Sequence, residues 1–260
     1  MSSIAAAFWA ECLKIRKSRL FWLSILAAVF LTGMIGFMMF ISRNPEMAAK
    51  LGLMGTKSAI VKDADWPYFL GLLNEIIAGA GAIGFGFVTA WVFGREYSDR
   101  TVKDLLALPI PRSYIVLSKF LVVAIWCALL ALTVIVSGLL IGWLAGLPGW
   151  SNEGAVNNIE MFAVVSLLTL LLSTPVAFLA SYGRGYLAPI GFVILTLITA
   201  QFCTALGLGP YFPWAIPGAY SVSESAAGTQ LGVTSYAILI ITSLIGLAAT
   251  FAWWRYADQF

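Results

Sequence analysis

Six long apolar runs constrain this chain more than any other feature. They lie at about 20–41, 70–93, 114–147, 161–182, 187–206 and 234–254. Each reaches the roughly 20 residues that an α-helix needs to cross a bilayer core about 30 Å thick. Backbone in hydrocarbon finds no water to bond, so such runs are expected to be helical. Composition agrees: 61% of the residues are hydrophobic and 10% charged, against about 25% charged in soluble domains. The expectation is an all-α membrane protein of six transmembrane helices forming one domain over 1–260. The third run is too long for one perpendicular span, so it tilts or extends past a surface. Only Gly183-Arg184-Gly185, read as a tight turn, separates the fourth run from the fifth.

The placement of Lys and Arg sets an orientation. On one side lie Lys14, Arg16, Lys17, Arg19, Arg95, Arg100, Lys103, Arg112, Lys119, Arg184 and Arg255. On the other lie Arg43, Lys50, Lys57 and Lys62, so eleven face four and together make the fifteen of the chain. The richer side is expected to be cytoplasmic, with both termini and the 94–113 connection. The basic N-terminal stretch leads into an apolar run longer than the 7–15 residues of a signal, which reads as a retained anchor. Outer segments 148–160 and 207–233 carry no Lys or Arg. Residues 207–222, GLGPYFPWAIPGAYSV, hold three prolines and several aromatics. They read either as a re-entrant or hairpin segment on the outer face before the sixth span, or as an interfacial loop anchored by Tyr211, Phe212 and Trp214.

Several chemistries lack their residues. Histidine is absent, and Cys12, Cys127 and Cys203 form no CxxC. That leaves no imidazole-dependent catalysis or metal site and no disulfide framework. A net charge of +3 argues for no nucleic-acid partner. No GxxxxGK[ST] string occurs. The nearest run, Gly55-Thr56-Lys57-Ser58, falls on the expected outer face. No catalytic residue, metal site or cofactor is assigned to this chain.

The segment Phe93–Arg112 carries the most information. Ser98 or Asp99 can cap a helix. Val102, Leu105, Leu106 and Leu108 then fall mostly on one face and Arg100, Lys103 and Asp104 on another, and Pro109 and Pro111 end it. Two explanations fit a short amphipathic helix there. One is a membrane-surface helix; the other docks in a groove of a soluble partner.

The run FGREYSDRTVKDLLALPIPRSYIVLSKFLV resembles the signature of the type-2 ABC exporter permease family. The match rests on Glu96, Thr101, Leu105, Leu106, Pro109, Arg112 and Lys119. Arg100 departs from it, since the family often has Gly before that Thr. The run FWAECLKIRKSRLFW is similar to the family's amphipathic elbow helix, with Glu11 and Lys14 in its acid and Lys positions. The run at Pro213, Trp214 and Pro217 resembles the bacitracin-resistance and lantibiotic-immunity branch. The resemblance implies a permease without a nucleotide site, in a bacterial cytoplasmic membrane. A separate ABC ATPase subunit, holding ATP and Mg, would dock on a coupling helix at 98–108. Leucines there would make the contacts, with Glu96, Asp99 and Arg100 setting polar register. It also implies a second permease copy, as a homodimer or a related heterodimer. The cargo would be a lipid-like or amphipathic molecule, such as a peptide antibiotic, exported or extracted.

Other features leave alternatives open. Small residues fill Ala78–Gly86, and Gly138, Gly142 and Gly146 repeat at one-turn spacing. Such residues let helices approach closely, within one chain or at a seam against a second copy. Glu75, beside Asn74, lies near the outer end of the second span, and Glu160 at the mouth of the fourth. Acids in membranes tend to serve function, so Glu75 is a pathway or gating candidate, although both acids can reach water. Gln201, Thr199 and Thr204 add polar groups to the fifth span, and Pro175 and Pro189 can kink their helices. The competing functions are a secondary transporter or channel, which would show repeats or ionisable midplane residues, and a non-transporting immunity or assembly protein.

Overall fold

A computed structural model describes residues 3–44, 46–47, 64–102, 105, 109–222 and 231–256. Ten α-helices are assigned in them: α1 Ser3–Arg16, α2 Arg19–Arg43, α3 Trp66–Ala78, α4 Ala80–Ser98, α5 Arg112–Leu144, α6 Asn152–Leu171, α7 Thr174–Tyr182, α8 Leu187–Ala205, α9 Ile216–Ser221 and α10 Val233–Tyr256. No strand occurs among the described residues. Six helical units are long and apolar enough to cross a membrane: α2, α3 with α4, α5, α6 with α7, α8 and α10. The six expected runs are thus all helical.

Their starts follow local chemistry. Ser18, Asp65 and Ser151 precede α2, α3 and α6, and each side chain accepts a backbone N–H of the first turn, from Leu20, Tyr68 and Gly154. α3 begins at Trp66, four residues before the apolar run, and α6 at Asn152, nine before it. Hydropathy locates the greasy part of a helix, and the caps locate its end. α5 is continuous over 33 residues, about 50 Å at 1.5 Å per residue, longer than the hydrocarbon is thick. Two units are interrupted. α3 gives way to α4 at Gly79, and α6 to α7 at Leu172 and Ser173, with Pro175 in the first turn of α7. Pro189 opens α8 instead of kinking it.

Side-chain contacts define the two ends of the bundle. At one end Arg112 Nη1 donates to the carbonyl of Trp254 at 3.3 Å, Tyr97 meets the Trp254 ring, and the Gly183–Tyr186 turn lies against Gly94. This end gathers the start of α2, the end of α4, the start of α5, the α7–α8 turn and the end of α10. At the other end Arg43 donates to the carbonyls of Ala145 and Gly146, the Trp66 amide donates to Pro148 O at 3.0 Å, and Trp66 packs edge-on to Trp150. The helices therefore alternate in direction. The core between them is aromatic, with Phe69, Phe85, Phe93, Trp126 and Trp254 almost fully buried.

The spaced glycines of α5 have distinct duties. A Cβ on Gly138 would overlap Leu73 Cδ1, and one on Gly142 would lie 2.6 Å from Trp66. Both glycines accept α3 of the same chain. Gly146 stands at φ +61° just beyond α5. Its N–H bonds Trp143 O and the next N–H bonds Gly142 O, the paired bonds of a left-handed helix cap. Residues 207–222 form two 3-10 turns, Gly209–Tyr211 and Pro213–Ala215, followed by α9. They pack on α3, α6 and α8.

Gly142→Leu should drive side-chain atoms into Trp66 and Phe69 and cost about 1–3 kcal/mol or more. A clear fall in melting temperature in detergent is expected, while Gly33→Ala, where a Cβ meets nothing within 4 Å, should melt as wild type does. Equal melting of both variants would rule out the close α3–α5 approach.

Candidate functional site

Lys119 lies on the buried face of α5, with Ile115, Val116, Val122 and Val123, and has 0% exposure. An ammonium cut off from water costs several kcal/mol unless opposite charges and acceptors surround it. Lys119 finds them on two other helices. Its Nζ lies 2.8 Å from Glu96 Oε1 and 3.5 Å from Glu11 Oε2, and donates to the Val92 carbonyl at 2.8 Å. Lys14 Nζ completes the group at 2.7 Å from Glu11 Oε1 and 2.9 Å from Glu96 Oε1.

Helical spacing builds this arrangement. Glu11 and Lys14, three apart, share a face of α1. Val92 and Glu96, four apart, share the inner face of α4. Two carboxylates and two ammoniums sum to zero charge, and Glu11 and Glu96 are 5% and 3% exposed. Burial works against the charge on Lys14, but the carboxylates of Glu96 and Glu11 outweigh it and hold its pKa above the ordinary lysine value. Glu96 Oε1 serves both ammoniums, whereas its Oε2 is buried with no hydrogen-bond partner among the described residues. The cluster thus locks α1, the end of α4 and the start of α5 together, one oxygen short of full satisfaction.

Just beyond it the chain turns sharply. α4 runs on to Ser98 with Asp99 as its C-terminal cap, so these residues close one helix instead of opening the next. Arg100 stands at φ +57°. Its N–H donates to Tyr97 O at 3.3 Å, and the Thr101 N–H to Glu96 O at 2.9 Å, which is the two-bond cap that normally ends in glycine. That conformation favours glycine, and here Arg bears the strain. The Leu105 N–H then bonds Thr101 O at 3.1 Å, a helical spacing.

The remaining residues singled out by sequence fall as follows. Asp99, Arg100, Thr101, Pro109 and Arg112 are exposed. Asp99 pairs with Arg95 Nε at 3.1 Å, and Arg95 lies over Trp91. Val102 is buried, and Leu105 is half-buried against the main core. Lys103, Asp104, Leu106 and Leu108 lie outside the described residues, as do Lys50, Lys57, Lys62 and the Gly55–Ser58 string. Glu96 is turned into the protein, away from the exposed residues of its segment. Glu75 lies at the far end of the bundle, in the wall of a separate cavity. Sequence reading placed Lys119 in the motif without seeing its role. The available signal was a lysine six residues into an apolar run, which needs a counter-ion.

Six membrane-length helices, a charged connection between the second and third, and an ion cluster anchoring its base define an all-α integral membrane protein. Residues 7–201 match the family described as ABC-2 family transporter protein, and the chain belongs to that family. It is also 27% identical over 178 residues to the bacitracin transport permease protein BCRB of Bacillus licheniformis, a match covering 67% of this chain and 83% of that one. No solved structure matches the chain. The family assigned on the Glu96–Lys119 motif is therefore established, and the similarity to a bacitracin permease accords with the branch read from Pro213, Trp214 and Pro217.

Lys119→Met should leave two buried carboxylates with one ammonium and cost about 3–5 kcal/mol. The fraction of monodisperse protein and the melting temperature should both drop, with partial recovery in Lys119→Met/Glu96→Gln. A single variant as stable as wild type would sink the pairing. Arg100→Gly should raise stability by about 1 kcal/mol through relief of the left-handed conformation, and a lower melting temperature there would contradict the cap.

Proposed function

We propose that this chain is the membrane subunit of an ATP-driven transporter that exports or extracts a lipid-like or amphipathic molecule. ATP and Mg are bound by a separate ABC ATPase subunit, on the cytoplasmic side. The end of the bundle with the ion cluster is the cytoplasmic end, in keeping with the eleven-to-four distribution of Lys and Arg. Both termini and the 94–113 connection then face the cytoplasm of a bacterial cell. α1 serves as the elbow helix before the first span.

The observation that carries this reading is the Glu11–Lys14–Glu96–Lys119 cluster. A connection that only joined two spans would need no rigid footing. Here its entrance is clamped to α1 and α5 by the two ion pairs of Glu96, which two more pairs between Glu11 and the same lysines reinforce, and its exit is tied to α10 through Arg112. A push on residues 98–112 is therefore delivered to three membrane helices and not absorbed by a loose loop. The exposed side chains of Asp99, Arg100, Thr101 and Pro109 are the ones an ATPase can reach. Glu96 acts from beneath, as part of the footing.

Export through a pathway at the edge of the bundle requires a second permease copy. Large apolar side chains of α2, including Trp22, Leu26, Phe30 and Phe37, remain exposed and are available to that copy or to lipid. The similarity to a bacitracin transport permease favours an amphipathic peptide antibiotic as cargo.

Co-expression with a candidate ABC ATPase should yield a stable complex whose ATP hydrolysis depends on the permease. Asp99→Arg/Arg100→Glu should weaken association at least about fivefold, the scale of one or two exposed charge contacts, and leave melting of the isolated permease near wild type. Glu153→Lys at the opposite end should change neither. Failure of any ATPase to associate, or full association of the charge-reversed variant, would refute the docking assignment.

A further inference from the structure

At the end of the bundle away from the ion cluster, a cavity of about 380 Å³ opens between α3, α8 and residues 207–222. Its size falls in the range of small-molecule sites. Glu75 supplies a carboxylate, Gln201 an amide, Thr204 and Ser221 hydroxyls, and Trp214 an aromatic ring. Apolar Leu197, Ala200 and Ala219 complete the wall. Trp214 is held in place by edge-on packing against Phe192 at 5.3 Å and tilted packing against Phe212 at 5.8 Å.

Glu75 differs from Glu11 and Glu96. Glu11 and Glu96 each contact two ammoniums. Glu75 makes no ion pair or side-chain hydrogen bond among the described residues, and its side chain is exposed in the wall of this largely apolar cavity. A carboxylate placed so is open to a cationic partner. α3 also breaks at Gly79, one turn further on, and Gly79 lines the same cavity. Interrupted helices with an ionisable group beside the break are a recurrent way to build a transporter site. Arg43, the described cation at this end, is engaged by the carbonyls at 145 and 146.

We infer that this cavity binds an organic cation, an ammonium or guanidinium carried on an apolar scaffold, with Glu75 as counter-ion, Trp214 as aromatic platform and the hydroxyls and amide as hydrogen-bond partners. That this ligand is the cargo rests on the function proposed above; the binding does not. Geometry also excludes anions, since an alkyl sulfate or carboxylate would place a second negative charge beside Glu75.

The test is calorimetric titration of the full chain, purified in dodecyl maltoside, with decylammonium and with decyl sulfate. Decylammonium should saturate one site per chain, and decyl sulfate should not bind. Glu75→Gln should weaken binding about fivefold, the upper worth of one exposed charge contact, and Glu75→Asp should retain most of it. Gly218→Leu provides an independent arm. A Cβ there meets nothing within 4 Å, so the leucine should fill the cavity, abolish binding and leave melting unchanged. Displacement of decylammonium by lysophosphatidylethanolamine would mark a lipid headgroup as the natural ligand, and resistance would mark a non-lipid amphiphile. Equal binding by wild type and Glu75→Gln, or by Gly218→Leu, overturns the site. These outcomes are separate from those of the transporter reading. A complex that hydrolyses ATP but binds no cation removes the cavity alone, and a chain that binds the cation but recruits no ATPase removes the coupling alone.

Discussion

A fully buried ammonium is among the most demanding groups a membrane bundle can hold, and the arrangement of this one follows from Lys119. Its charge fixes the distance at which α4 and α1 must lie, because Glu96 and Glu11 have to reach it within contact range. Apolar packing alone would allow α1 to slide on the bundle, since hydrocarbon tails compete with any apolar helix face. A charge pair buried among Ile115, Val116 and Val122 allows no such slack. Removing one member strands another, whereas displacing a leucine only exchanges one greasy neighbour for another.

The left-handed cap at Arg100 depends on the same residue. Glu96 contributes its side chain to the cluster and its backbone carbonyl to the Thr101 N–H. One residue therefore holds the helix end in register from both sides. The direction in which the chain leaves α4 is set by that double attachment, and Val102 and Leu105 are drawn back onto the protein as a result. Thr101 and Pro109 stay outside. What looks in sequence like an amphipathic helix with a free apolar face is, at the two positions described, a helix with that face already spent on its own chain.

Much of this was legible in sequence, for physical reasons that differ by feature. The six spans were visible because hydrocarbon imposes a length and a composition on any crossing helix. Their ends were not, because Asp65 and Ser151 set them by capping, and a cap is invisible to hydropathy. Gly138 and Gly142 announced close packing, but their partner is α3 of the same chain, and spacing alone does not distinguish that from a second copy. Gly146 shared the spacing for an unrelated reason, the left-handed end of α5. Glu11, Lys14, Glu96 and Lys119 were all noticed through family resemblance, at separations of up to 108 residues. Their convergence on one point was not, since no local periodicity carries a contact of that range.

The two ends of the bundle handle charge in opposite ways. Residues 7–201 contain every member of the neutral cluster and the cap after it. They also contain Glu75 and, on α8, Leu197, Ala200 and Gln201 of the second cavity. The wall built by Trp214, Gly218 and Ser221 falls beyond residue 201. A neutralised cluster enforces one geometry on α1, α4 and α5, because each charge must stay within reach of its counter-ions. Glu75, with no ion pair among the described residues, enforces none, so the helices around it are held by packing against the turns of residues 207–222.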